Sequence, residues 1–410
     1  MLQLNPRTAS RNLKIARRFE EHDRKAAGVS TSQSIPVYET EFWTSRQRQA
    51  SSIHEISYRA CFKPQLPAYF IERLTQEGDL VYDPFSGRGT TAIEAALRGR
   101  NVIANDVNPL SAILTRPRLE LPSIADIDAR LRTLKFAARP GSGLDLSMFF
   151  HPGTEHEILG LREHLHRRLT SGEEDAVDRW IRMVGTNRLT GHSPGFFSVY
   201  TLPPNQAVAP EDQLRINARL KQEPEYRDIR ALILKKSLQL QGRLTAADRW
   251  RLRAAAAGAR LLLNDAAATS EIESGSVQLT VTSPPFLDVV QYARDNWLRC
   301  WFNGLDAEAV NARITMSRTL EEWAQAMAAV LRELYRATRP GGWLAFEVGE
   351  VRRGEVRLEE TVVPLGIDAG FECSAILINA QRFTKTANIW GVTNNRLGTN
   401  SNRIVLFQKS

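Results

Sequence analysis

Apolar residues along this chain fall into a few short β-branched runs, separated by long stretches with helical spacing. Asp79–Phe85 (DLVYDPF) is a brief β-rich run; Ser86-Gly87-Arg88-Gly89-Thr90-Thr91 follows it, and Ala92–Leu97 then favours a helix. After Gly99-Arg100, Asn101–Val107 (NVIANDV) reads as a second strand ending at Asp106, completing a βαβ unit with a buried parallel pair. Its crossover is expected to be right-handed. Upstream, Phe62–Leu74 has the periodicity of a helix begun near a proline. Downstream, Leu119–Leu263 is rich in Leu, Arg, Ala and Glu at helical spacing, with a turn-rich interruption over Thr190–Pro210. Strand patterns return at Val277–Thr282, Trp343–Val348 (after Arg339-Pro340-Gly341-Gly342), Glu372–Asn379 and Arg403–Gln408, with Glu321–Thr338 as an amphipathic helix. These elements predict an α/β fold, a mostly parallel sheet carrying a helical insertion. The expected units are a basic arm over 1–50, a first half over 51–116, the insertion over 117–258 and a second half over 259–410.

With 410 residues, 42% of them hydrophobic, the chain can bury a large core. No apolar run approaches a membrane span, and the N-terminus lacks the apolar segment of a secretory signal, so a cytoplasmic protein with no membrane partner is expected. Cys61, Cys300 and Cys373 are far apart, which argues against a disulfide framework or a zinc site; no metal is expected. The net charge of +8 is compatible with a polyanionic partner. Arg7, Arg11, Lys14, Arg17 and Arg18 stand at near-helical spacing, as a phosphate-contacting arm or a solvated helix face would.

Chemistry concentrates where strands end. In a doubly wound sheet, ligands sit at the carboxyl ends of strands, and Gly87 and Gly89 are placed to bring backbone N–H groups close to one. Asp106 ends the next strand, near the spacing at which a carboxylate pairs with ribose hydroxyls, so an adenosine-containing cofactor fits. The turn is not the full dinucleotide fingerprint. Asp83-Pro84-Phe85 puts a carboxylate and a ring where a pyrophosphate binder needs bare backbone, which suits a cationic cofactor better. A second strand, Thr280-Val281-Thr282, stops at Ser283-Pro284-Pro285-Phe286, and two prolines there can neither extend a ladder nor enter a helix interior.

Asp83-Pro84-Phe85-Ser86-Gly87-Arg88-Gly89-Thr90-Thr91 together with Thr282-Ser283-Pro284-Pro285-Phe286 resembles the amino-group DNA methyltransferases that use S-adenosylmethionine, over roughly residues 50–115 and 260–350. The resemblance implies a class I methyltransferase (Rossmann-like) core, S-adenosylmethionine as cofactor and DNA as partner, and it leaves open a cognate restriction endonuclease. It makes Asp83, Pro84, Phe85, Gly87, Gly89 and Thr90 the loop beneath the methionine moiety and Asp106 the ribose ligand. Asn264-Asp265-Ala266 becomes the turn whose carboxylate meets the adenine amine, and Lys63-Pro64 a segment closing over the cofactor. Taken locally, Asp265 also reads as a turn aspartate and Lys63 as a solvated side chain.

Methylating an exocyclic amine requires acceptors that hold its N–H bonds and orient its lone pair. The Ser283 hydroxyl and the Pro284 carbonyl can do this, Pro285 stiffens the turn, and Phe286 offers a face for a flipped base. The absence of a Pro-Cys pair argues against carbon-5 cytosine methylation, which needs a thiolate. Serine before the two prolines resembles the cytosine-N4 branch; adenine N6, an RNA amine and a non-catalytic nucleic-acid binder remain alternatives. Residues 288–302 are aromatic with interleaved charges, either a pocket wall through Tyr292, Arg294 or Trp297 or an amphipathic core helix. His192, Phe196, Phe197, Tyr200 and Asn205 suit a nucleic-acid surface or a packed cap, with His192 alone reading as structural. In the family resembled, an insertion like 117–258 serves target recognition.

Overall fold

The computed structural model describes residues 35–43, 50–58, 61–136, 143–201, 208–285, 292–314, 317, 319–351, 356–380 and 401–410. The five basic residues of the N-terminal arm, Asn205 and Phe286 lie outside the described residues.

After β1 (Val37–Thr40) and a 3-10 turn at Ser52–His54, α1 (Gln65–Leu74) leads into the predicted βαβ unit: β2 (Leu80–Asp83), α2 (Thr90–Leu97) and β3 (Asn101–Asn105). α3 (Leu110–Glu120) leads into the insertion, which is helical, comprising α4 (Ile124–Thr133), α5 (Pro152–Thr170), α6 (Ala176–Arg188), α7 (Pro210–Leu220), α8 (Ile229–Gln241) and α9 (Ala246–Gly258). Several of its N-termini are fixed by side chains the sequence places there: Asp175 and Thr245 each form a reciprocal capping box with the aspartate three residues on. The sheet resumes with β4 (Arg260–Leu262) and β5 (Val277–Thr282). α10 (Tyr292–Asn303), α11 (Ala307–Arg313) and α12 (Leu320–Ala337) follow, then β6 (Thr338–Val348) and a small hairpin of β7 (Glu350–Val351) and β8 (Val356–Arg357). The chain ends with α13 (Leu358–Asp368), β9 (Glu372–Ala380) and β10 (Ser401–Gln408).

The large sheet has the order β1-β9-β10-β6-β5-β2-β3-β4. β10 is antiparallel to β6 and β9, and every other pairing is parallel. Leaving β1 aside, this is the class I methyltransferase arrangement, with one reversed strand inserted near the edge. Residues alternate between faces along each strand: Val81, Val102, Ala345 and Ile404 join one apolar cluster, and Tyr82, Ile103, Phe346 and Val405 the other. The first cluster runs without a break into the insertion through Leu131, Trp180, Ile233 and Leu252. The second is covered by α12 and α13 through Trp323, Leu331, Val362 and Val363. Full burial of one such side chain contributes about 1.5–3 kcal/mol, so both layers are held mainly by hydrophobic packing.

One expectation shifts. The strand read from Trp343 begins earlier, because Arg339–Gly342 lies within β6: Val277 pairs with Thr338 and Leu279 with Trp343, so β6 bulges against β5. Gly341 takes a φ of +75° there, and its N–H reaches Lys409 O at 2.7 Å, which keeps the bulge in the sheet.

Candidate active site

The strand order reverses direction between β2 and β5, and the crevice beyond their carboxyl ends is where a doubly wound sheet binds ligands. Both sequence motifs arrive there. Thr282 Oγ1, at the end of β5, donates to Asp83 Oδ1 at 2.7 Å, and Thr91 Oγ1 of α2 donates to Val281 O at 3.2 Å. The glycine turn and the proline turn are therefore joined by side chains across the switch point.

The β2–α2 turn is shaped by its glycines. Gly87 and Gly89 have φ of +52° and +74°, the left-handed region that residues with a Cβ avoid. A Cβ on Gly89 would also stand 2.1 Å from Thr115 Oγ1. Asp83 is buried, and burial pushes its carboxyl up to about 6 against the hydrogen bonds from Thr282 Oγ1 and Phe85 N. Its Oδ2 and the neighbouring Ser86 Oγ are buried with no hydrogen-bond partner. A buried acceptor left unsatisfied costs about 1–3 kcal/mol. The ammonium of a methionine-type ligand would satisfy it, so these residues fit S-adenosylmethionine. Pro84 and Thr90 are buried and Phe85 is half-buried.

Asp106 lies half-buried across the same turn. Gly87 N donates to its Oδ2 at 2.8 Å and Asn108 N to its Oδ1 at 3.0 Å, while burial pushes its pKa up to about 6. Each carboxylate oxygen keeps a further lone pair for a ribose hydroxyl. Asp265 is exposed, and its Oδ1 accepts from Ala267 N at 2.9 Å, the geometry of a turn aspartate. Its turn is nevertheless tied to the glycine loop by Asn105, a residue the sequence reading passed over. Asn105 Oδ1 accepts from Asn264 N at 2.9 Å, and its Nδ2 donates to Asn264 O at 2.9 Å and Pro84 O at 3.2 Å. Lys63 is half-buried beside the start of α1, which lowers its pKa.

At the tip of β5, Pro284 is buried and Ser283 and Pro285 are half-buried. Trp323 of α12 donates from Nε1 to Pro285 O at 2.8 Å, pinning the proline turn from behind. Ser283 faces Glu347, which is 6% exposed on the neighbouring β6 and accepts from Asn402 Nδ2. Burial raises the Glu347 pKa to about 7, with Ser283 and Asn402 opposing it. The sequence did carry a signal for Glu347, a single carboxylate inside the apolar run Trp343–Val348.

The aromatic candidates mostly pack. Leu298 is fully buried on α10, and Trp297 and Trp301 are half-buried against the same cluster, with Trp297 Nε1 donating to Val208 O at 3.3 Å. Arg294 is exposed and pairs with Asp212 at 3.2 Å. Tyr292 opens α10. Phe196 and Phe197 are buried as a cap, Tyr200 is half-buried and His192 is exposed near the Phe196 ring. Among the described residues no helix is long and apolar enough to cross a membrane, and no cluster of His, Cys, Asp and Glu could hold a metal.

The core has the class I methyltransferase fold, and its glycine loop leaves an orphaned acid that a cationic ligand such as S-adenosylmethionine would satisfy. Residues 10–111 match the family model described as DNA methylase, that of the N6 and N4 amino-group enzymes. The chain is 34% identical over 77 residues to the type II methyltransferase M.MjaII of Methanocaldococcus jannaschii, covering 18% of this chain and 14% of that protein. It is 29% identical over 128 residues to the type II methyltransferase M.MvaI of Kocuria varians, covering 30% of this chain and 25% of that protein. The alignments thus span a quarter or less of these relatives' lengths. Among solved structures, the rRNA methyltransferase aviRa of Streptomyces viridochromogenes aligns with a TM-score of 0.35 at 15% identity, covering 88% of this chain and 92% of that one.

Proposed function

We propose that this protein transfers a methyl group from S-adenosylmethionine to an exocyclic amino nitrogen in DNA, cytosine N4, with Ser283 and Pro284 holding the amine. The observation that carries this reading is the placement of Ser283 beside the buried Glu347, at the tip of β5 where Thr282 pairs with Phe346. A serine hydroxyl that donates its proton to a buried carboxylate turns its lone pairs outward, as an acceptor for an amine N–H must. The bound cofactor supplies an electrophilic methyl on a sulfonium. Asp83 and Ser86 face its ammonium, Asp106 its ribose, and the Asp265 turn its adenine. The target nitrogen gains the methyl and, with it, a positive charge, and must then release a proton. Ser283 can relay that proton to Glu347, whose pKa of about 7 suits a general base at neutral pH. Phe286 supplies a stacking face for the extruded base.

Nucleoside mass spectrometry of DNA methylated by the purified protein tests the reading, with N4-methylcytosine as the expected product. N6-methyladenine would replace the target base, and methyl incorporation into RNA alone would replace the substrate. Ser283→Ala and Glu347→Gln are each expected to lower kcat by about 10²-fold or more while leaving cofactor affinity unchanged. The wild-type kcat should rise with pH through about 7, and Glu347→Gln should lose that limb. Normal turnover by both variants would remove the proline turn from the mechanism.

A further inference from the structure

Buried cations gather around the irregular segment Ser52–Tyr58, on the side of the cofactor turn facing the insertion. Most of them are absorbed by that segment. Arg88 donates to His54 O and Ile56 O, Arg118 to Ile53 O, and Arg299 of α10 to Ser57 O. Arg188, the last residue of α6, differs. It is 8% exposed, lies over the Phe196 ring at 3.9 Å and donates from Nη2 to Asn187 Oδ1, while its Nε is buried with no partner. Among the described residues it forms no ion pair with a carboxylate.

Its neighbours do not supply the missing charge. Lys236 of α8 is buried, and its nearest carboxylate is Glu55 at 4.0 Å, a side chain 45% exposed. Arg299 is buried, with the buried Asp295 one turn earlier on α10; the buried Asp178 of α6 is paired with Arg130 and Arg168. Burial first and Arg299 second lower Arg188 to about 10; burial first and Arg188 second lower Lys236 to about 8. A desolvated guanidinium whose Nε–H lacks a partner is costly, and an anion at Arg188 would relieve that cost. The cluster adjoins the glycine turn: the Arg299 guanidinium is 5.8 Å from the Tyr58 ring centroid, and a Cβ on Gly87 would sit 3.7 Å from that ring.

We infer that Arg188, flanked by Lys236 and Arg299, forms a binding site for a backbone phosphate of the target DNA strand, holding the strand beside the extruded base. A guanidinium with an unpartnered N–H suits a phosphate oxygen, and a contact of this kind positions a strand without reading its sequence. The inference rests on the DNA-methylating function proposed above.

The test is duplex DNA binding by fluorescence anisotropy across a salt series, with wild type, Arg188→Gln and Arg188→Lys, alongside a calorimetric titration of S-adenosylmethionine. Arg188→Gln is expected to weaken DNA about tenfold on unrelated sequences and to make the log Kd against log salt slope shallower by about one. Arg188→Lys should restore the slope. Cofactor affinity should not change, and the Tm of the free protein should not fall, because no carboxylate loses its partner. If Arg188→Gln fails to fold, Lys236→Gln carries the same expectation for affinity and slope. Unchanged affinity and slope would overturn the phosphate site, as would a loss confined to cofactor binding. In either case, DNA methylation by the wild type leaves the proposed function standing, whereas a wild type that neither binds nor methylates DNA overturns both.

Discussion

Asp83 shows how one residue is kept ready for a ligand at the expense of the free protein. Its carboxyl is buried with one oxygen unpaired, and its pKa rises from 3.8 to about 6. Between these values the unfolded chain releases the proton that the folded state keeps. The contribution to stability is therefore full below about 4 and lost as pH rises to about 6, about two units or roughly 3 kcal/mol. Asp106 is raised for the same main reason and acts in the same direction. Replacing the acid by its amide keeps an acceptor for Thr282 and removes the titration. Thermal melts from pH 4 to 7 are expected to fall more steeply for wild type than for Asp83→Asn, with the variant more stable at pH 7 and impaired in cofactor binding. Parallel curves would show that Asp83 is not the buried titrating acid.

At the scale of elements, the β2–α2 turn separates two effects that a glycine can have. Gly87 needs a positive φ, but a Cβ there would meet only Cys61 Sγ at 3.5 Å and Tyr58 at 3.7 Å. Gly87→Ala should cost the left-handed penalty of about 1–2 kcal/mol. Gly89 combines φ of +74° with a collision with Thr115, so Gly89→Ala should cost clearly more in urea denaturation and abolish cofactor binding. Equal losses would mean that α3 yields freely at Thr115. This turn was legible in the sequence because glycines and a strand end sit side by side, and β5 matched its apolar run at both ends, Val277 and Thr282. The elements that escaped reading had weaker local signals. β4 spans three residues, β1 four, and α13 carries Pro364 in its interior. Asn105 and Glu347 escaped because their roles depend on which strands become neighbours, a property of the sheet order and not of the local pattern.

For the whole molecule, what matters is whether the inserted helices form a separate body. Read from composition, residues 117–258 could fold apart from the sheet, yet their side chains are built into the sheet's own apolar layer. Trp180 of α6 is fully buried and donates from Nε1 to Ser237 Oγ at 2.8 Å on α8. Ser52, in the segment before the cofactor turn, donates to Leu240 O at 2.9 Å, also on α8. Arg251 and Arg253 of α9 reach Leu97 O and Leu121 O on the far side of the layer. Unfolding the helices alone would expose that layer and strip several buried carbonyls of their donors, so neither part has a stable state without the other. Thermal unfolding is therefore expected to be one transition, with far-UV circular dichroism and tryptophan fluorescence coinciding. Trp180 should report it from the insertion and Trp343 from the sheet, as single-tryptophan variants can show. Saturating S-adenosylmethionine should shift both probes upward together, because a ligand that binds only the native state stabilises whatever unfolds with its site. A Trp180 transition that precedes the Trp343 transition, or does not move with cofactor, would establish the insertion as an independent domain.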